Sequence, residues 1–202
     1  MSRVTLVAAT LVFAGCTQNS RYEPRNGDIV FQTSRSSQSL AIQLATNSPY
    51  SHMGIVYVRD GQPLVFEAVQ PVKLTPLHAW IERGESEHFV AKRLRDADSR
   101  LTPEALQRMH AAGEQLSGKD YDLYFEWSDD RIYCSELVWK VFERGAGIRL
   151  GAQQTIADFD LSHPAVQAKI KERYGDQIPL NEVVVSPVAI FNAADLFTVY
   201  EN

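Results

Sequence analysis

Ser51-His52-Met53-Gly54-Ile55-Val56-Tyr57-Val58-Arg59 and Gln62-Pro63-Leu64-Val65-Phe66-Glu67-Ala68-Val69 flank the dipeptide Asp60-Gly61. Asp-Gly supplies the backbone of a tight turn, and the flanks are rich in β-branched and aromatic residues, so the stretch predicts a β-hairpin. With Arg59 facing Gln62, Gly54 faces Glu67 and His52 faces Val69. His52 and Glu67 are then diagonal neighbours on one face, with backbones about 7–8 Å apart, within reach of their side chains. A loop of odd length would send them to opposite faces. The shared face also carries Val56, Val58, Val65 and Val69, where a carboxylate is costly unless paired and hydrogen-bonded. Histidine is the obvious partner. Both faces of the two arms are largely apolar, which predicts strands inside a sheet rather than a solvated edge.

Outward from the hairpin, Gly27 to Gln32 reads as a strand, and Leu40 to Ala45 as a short helix ending near Asn47-Ser48-Pro49. Phe89 to Leu94 reads as another strand. Thr102 caps a helix that Pro103 opens and that runs to about Leu116. Tyr121 to Phe125 is expected to be extended. A helix is expected from about Ile132 to Arg144, stopping at Gly145, with Cys134, Leu137, Val138 and Val141 on one apolar face. Pro164 to Tyr174 reads as a charged surface helix, Val183 to Val185 as a short strand, and Ser186-Pro187 as a helix start. Strands and helices mix without regular alternation, which favours α+β. Substrate specificity is expected in the loops Thr33–Pro49, Pro71–Glu87 and Gly147–Gln177, with Lys73, Trp80 and Arg83 as contacts.

The chain has two cysteines. Cys134 falls in the first turn of its helix, where unpaired N–H groups and the helix dipole favour a thiolate. The competing reading is a small buried hydrophobe, and Asp129 and Asp130 just upstream would oppose a thiolate if they faced it. The joint registration of His52 with Glu67 is what points to chemistry: such a pair orients an imidazole for a nucleophile. His78, His88, His110 and His163 show no ligand spacing, so no metal site is expected.

Cys16 has a different context. Arg3 precedes the apolar run Leu6 to Gly15, which is too short to span a bilayer and reads as an export signal over residues 1–15. Phe13-Ala14-Gly15-Cys16 resembles a lipobox, with Phe13 where an aliphatic residue is usual, so Cys16 is expected to be lipidated. More than one acyl chain would anchor the protein stably to a membrane. Residues 16–26 read as a tether and 27–202 as one domain. Thr17 in place of aspartate favours the outer membrane, by resemblance to enteric lipoproteins; an ordinary signal peptide and a soluble periplasmic protein is the alternative. The net charge of -5 excludes a nucleic-acid partner, and a hydrophobic fraction of 45% is that of a globular core.

Gly27-Asp28-Ile29-Val30-Phe31, Tyr50-Ser51-His52-Met53-Gly54, Phe66-Glu67-Ala68, Lys119-Asp120-Tyr121-Asp122 and Tyr133-Cys134-Ser135-Glu136 together resemble the YiiX/YebB-like group of permuted papain-like cysteine hydrolases, relatives of NlpC-type peptidases and lecithin:retinol acyltransferase-like proteins. The resemblance implies an α+β, circularly permuted papain-like fold whose antiparallel sheet packs against the nucleophile helix, with histidine preceding cysteine. It implies Cys134 as nucleophile, His52 as general base and Glu67 as the orienting carboxylate. Tyr121 or Tyr133 would line the substrate site or assist the oxyanion, and Glu136 would fix the helix start. No metal or organic cofactor is implied. The expected activity is cleavage of an amide bond in the cell envelope through an acyl-enzyme on Cys134, the substrate being a wall peptide or an N-acylated small molecule. Lipid ester hydrolysis or acyl transfer, and a non-catalytic binding module, are the alternatives.

Overall fold

The computed structural model describes residues 21–202, so the segment read as an export signal and Cys16 lie outside the described residues. The chain runs β1 (Ile29–Gln32), α1 (Ser39–Thr46), β2 (His52–Arg59), β3 (Gln62–Glu67), β4 (Lys73–Pro76), α2 (Leu77–Glu82) and β5 (Val90–Leu94). There follow α3 (Ala97–Arg100), α4 (Pro103–Leu116), β6 (Asp120–Tyr121), β7 (Arg131–Ile132), α5 (Cys134–Ala146) and β8 (Gln154–Thr155). The last elements are α6 (Pro164–Tyr174), β9 (Val183–Val184), α7 (Pro187–Phe191) and β10 (Leu196–Glu201). Six strands form one antiparallel sheet in the order β10-β5-β1-β2-β3-β4, so the hairpin arms are interior, as their two-sided apolar pattern requires.

The hairpin register is the expected one, with Arg59 opposite Gln62 and Ile55 opposite Phe66. The second arm ends at Glu67 rather than Val69, because the chain bends at Val69–Pro71 to start β4. One face of the sheet, carrying Ile29, Phe31, Met53, Ile55 and Phe66, packs on α5 and α4 through Leu137, Val138, Val141, Phe142 and Met109. Each such side chain contributes roughly 1.5–3 kcal/mol on leaving water, before entropic costs. The opposite face, carrying Val30, Val56, Val65 and Ala91, is covered by Leu77 and Trp80 of α2. Of the stretch expected to be a tether, Tyr22 packs beside this second cluster and Asn26 Oδ1 accepts from the Val58 N–H at 2.6 Å.

Several expectations are corrected. Ile132 belongs to β7, which pairs parallel with β6, so the helix starts at Cys134. It continues through Gly145 to Ala146. A Cβ on Gly145 would lie 2.4 Å from Met109 Cγ, so that glycine admits α4, while Gly147 at φ 67 supplies the left-handed C-cap. Tyr121 to Phe125 is not a strand beyond Tyr121. Buried Asp122 accepts from the Tyr124 and Glu126 N–H groups at 2.8 and 2.6 Å and folds the segment into a turn. The segment 71–87, expected as a loop, holds β4 and α2, and Trp80 is fully buried, so it is core rather than a substrate contact. α2 is only 6 residues long, too short for its periodicity to stand out. β10, an edge strand against β5, carries a bulge between Thr198 and Tyr200 that breaks its alternation.

Candidate active site

The hairpin does what its register requires. His52 Nε2 lies 2.7 Å from Glu67 Oε2, both residues being buried. Gly54, opposite Glu67, leaves the necessary room: a Cβ there would lie 2.5 Å from Val65 Cγ1 and 3.3 Å from Glu67 Cβ. The second carboxylate oxygen, Oε1, accepts from Thr75 Oγ1 at 2.6 Å and from Arg83 Nη2 at 2.5 Å. Burial alone would raise the Glu67 pKa, but the His52 hydrogen bond and charge, Thr75 and Arg83 outweigh it and hold the carboxyl below its ordinary value. Burial alone would likewise depress His52. The Cys134 and Glu67 hydrogen bonds and charges overcome it and push the imidazole up to about 9. The ring also lies over Trp80, centroids 6.1 Å apart.

Cys134 stands at the head of α5, near enough to the same imidazole to help raise its pKa. It is the first residue of that helix, 2% exposed, and follows Tyr133 in extended conformation at φ -102, ψ 165. Its position makes the free N–H groups of the first turn available beside the sulfur. Three contacts fix this helix start. Ser135 Oγ donates to the Val185 carbonyl at 2.8 Å, Tyr133 Oη accepts from the Val185 N–H at 3.1 Å, and Glu136 Oε2 accepts from the Tyr133 N–H at 3.4 Å. Glu136 thus takes the structural place expected of it.

The two tyrosines separate. Tyr133 borders the apolar cavity, and its hydroxyl accepts from the Val185 N–H. Tyr121 is set beside Cys134 by the parallel β6–β7 pairing, which puts it opposite Ile132. Its hydroxyl accepts from Gln38 Nε2 at 2.7 Å. Burial, then the charge of Cys134, holds the Tyr121 phenol well above its ordinary pKa, so it remains a proton donor.

Cavities open on both sides of this cluster. An apolar one of about 130 Å³ runs from Cys134 between α1 and α6, past Ile42, Phe125, Val166 and Ile170. A polar cleft of about 760 Å³ opens at His52, Arg83 and Tyr121, with Gln32 and several serines on its walls. Gln38 borders both. Thr75 and Gln38 were not foreseen, and Arg83 serves Glu67 rather than standing free in a loop. Only Thr75 had a visible signal, since a β-prone polar residue two places from Lys73 falls on the Glu67 side once β4 pairs with β3.

The sequence model of a family described as permuted papain-like amidase enzymes, YaeF/YiiX, C92 family, matches residues 23–200. YiiX of Escherichia coli strain K12, an uncharacterized protein, is 53% identical over 178 residues, 88% of this chain and 87% of that one. The crystal structure of yiiX from Escherichia coli O157:H7, described as a metalloprotein, is similar with a TM-score of 0.86 and 53% identity, covering 90% of this chain and 99% of that one. The donor set here does not fit a metal centre. Among the described residues no group of three or more His, Cys, Asp or Glu side chains is placed to hold a metal ion. Both oxygens of Glu67 are already engaged, and the Arg83 guanidinium beside them repels a cation.

Proposed function

The chain belongs to the permuted papain-like amidase family, and from that premise we propose that it is a cell-envelope cysteine amidase that forms an acyl-enzyme on Cys134. The observation that carries the reading is the buried His52–Glu67 pair at 2.7 Å, in the neighbourhood of a thiol at a helix N-terminus. Glu67 occupies Nε2, which leaves Nδ1 for the thiol proton. His52 takes that proton and the sulfur attacks the carbonyl carbon of the substrate. Negative charge moves to the carbonyl oxygen, where the free amides at the start of α5 and the Tyr121 hydroxyl stabilise it. His52 then protonates the leaving amine, and a thioester remains. Water, deprotonated by His52, releases the acid and restores the thiol.

The apolar cavity beside Cys134 supports an apolar acyl group. An apolar cavity of ~150 Å³ is enough to hold benzene, so a short chain, or the start of a longer one, fits the 130 Å³ here. The leaving amine then lies in the polar cleft. The same cavity supports a second reading, hydrolysis or transfer of a lipid ester acyl group. A lipid anchor on Cys16 would hold the domain at the outer membrane, close to either substrate.

Envelope extract incubated with the protein and quenched in acid is expected to leave an acyl adduct on the Cys134 peptide by mass spectrometry, and none in Cys134→Ser. The mass identifies the acyl group, and the co-product, an amine or an alcohol, separates amide from ester. Bare Cys134 across wall peptides, N-acyl amines and phospholipids would replace the enzyme by a binding module. Cys16→Ser is expected to leave the membrane fraction; unchanged fractionation removes the anchor.

A further inference from the structure

Gln38 sits where the two cavities meet, and its amide is held at both ends. Arg173 Nη2, on α6, lies 2.5 Å from Gln38 Oε1, while Gln38 Nε2 lies 2.7 Å from the Tyr121 hydroxyl. The chemistry of the first contact fixes the second. A guanidinium has only donors, so the group facing it must be the amide oxygen. The amide NH2 therefore faces Tyr121, and the phenol oxygen is an acceptor in that contact. Its own proton is left over, free to be donated elsewhere. The phenol stays protonated beside Cys134, so the donor is present throughout the reaction.

We infer that Arg173 and Gln38 are positioning residues that turn the Tyr121 hydroxyl proton toward the substrate carbonyl oxygen. The inference rests on the acyl-enzyme reading above and adds its control by α6, a helix from the excursion between α5 and β9. Arg173 is itself held there over the Phe125 ring at 5.3 Å, and α6 packs on α1, whose first turn follows Gln38. The arrangement costs no rearrangement at the moment of reaction, which is where a preset donor gains most.

A reversal of the amide's role tests it. In Gln38→Glu the carboxylate keeps the Arg173 contact, but its other oxygen can only accept. The phenol proton must then turn to that carboxylate and away from the site. In Gln38→Met both contacts are lost and the phenol proton is free but unguided. Two rates are read on each protein: the burst of p-nitrophenol from p-nitrophenyl hexanoate, which needs the oxyanion donor, and alkylation of Cys134 by iodoacetamide, which does not. The wild type is expected to show both a burst and fast alkylation. Gln38→Glu and Tyr121→Phe are each expected to slow the burst by about 10²-fold, as loss of one oxyanion donor does, and the double variant no further than either. Gln38→Met is expected to lose only about 10-fold, and alkylation to be unchanged in all. A residue that only fills space would give the opposite order, with the near-isosteric glutamate milder than methionine. That order, equal bursts in Gln38→Glu and wild type, or alkylation falling in parallel with the burst, each overturns the inference while leaving the amidase standing. A wild type lacking both fast alkylation and burst overturns the acyl-enzyme reading and this inference with it.

Discussion

Two glutamates, Glu67 at the end of β3 and Glu136 in the first turn of α5, are both fully buried, yet they respond to burial in opposite ways. Glu67 lies below its ordinary pKa and Glu136 is pushed up to about 8. Desolvation is the largest influence on each and raises both. The difference is what opposes it. Glu67 has His52, Thr75 and Arg83 aimed at its two oxygens. Glu136 has a weak backbone contact and Lys140, whose ammonium lies 2.7 Å from Oε1 and is shared with the Ser128 carbonyl and Asp129. Burial is thus offset at Glu67 by three donors, two of them on cationic side chains, while at Glu136 one shared ammonium does not outweigh it. The sheet end is built to hold an anion, and the helix start to hold a neutral acid.

The sharpest break of that comparison is in rate. Glu67→Gln is expected to slow the p-nitrophenyl hexanoate burst by on the order of 10³–10⁴-fold, the scale on which an imidazole loses its orienting carboxylate. Glu136→Gln is expected to stay within about 10-fold, because the amide replaces an acid that is already neutral. Equal losses would make the two sites alike.

Stability comes next. Glu67→Leu strands His52 and Thr75 and is expected to cost about 3 kcal/mol in urea unfolding near neutral pH. Glu136→Leu is expected to cost about 1 kcal/mol, since Lys140 keeps Ser128 and Asp129. The reverse ranking would mean that Glu136 is the charged group.

The pH dependence has opposite signs at the two sites. The raised Glu136 keeps a proton in the folded chain that the unfolded chain loses, so its contribution is full below 4.5 and is lost as pH rises toward about 8. Relative to Glu136→Gln, the wild type is expected to lose on the order of a few kcal/mol across that window. Glu67 works the other way: its contribution is present above 4.5 and is lost as pH falls through its lowered folded value. His52 follows the sign of Glu136, with stability present below 6.5 and lost as pH rises through about 9. Parallel unfolding curves for wild type and Glu136→Gln between 4.5 and 8 would remove the neutral acid. Smallest of all, Thr75→Val is expected to cost about 1 kcal/mol, the worth of one hydrogen bond, and to move the acid limb of the unfolding curve to higher pH. An unmoved limb would leave His52 and Arg83 as the only effective partners of Glu67.

Much of the architecture was legible along the chain because its causes are local. Asp60-Gly61 sets the turn, the turn sets the register, and a side-chain period of two then puts His52 and Glu67 on one face. Thr102-Pro103 starts α4 for equally local reasons, with Thr102 Oγ1 accepting from the Ala105 N–H at 3.3 Å. What local pattern could not supply were elements stabilised from outside themselves. α2 is a helix because Leu77 and Trp80 cover the sheet, and the end of α5 passes Gly145 because α4 needs the space.

From its residues alone the chain determined a sheet-and-helix domain, an imidazole facing a carboxylate, and a thiol at the head of a helix. Only the tertiary structure decided that the thiol lies in the neighbourhood of that imidazole, that the Tyr133 hydroxyl accepts from Val185 while that of Tyr121 accepts from Gln38, and that Arg173 completes the line from a distant helix. The reason is range. Turn and cap preferences act over a few residues of backbone, whereas a hydrogen bond between side chains 83 and 135 positions apart exists only once the core has closed around both.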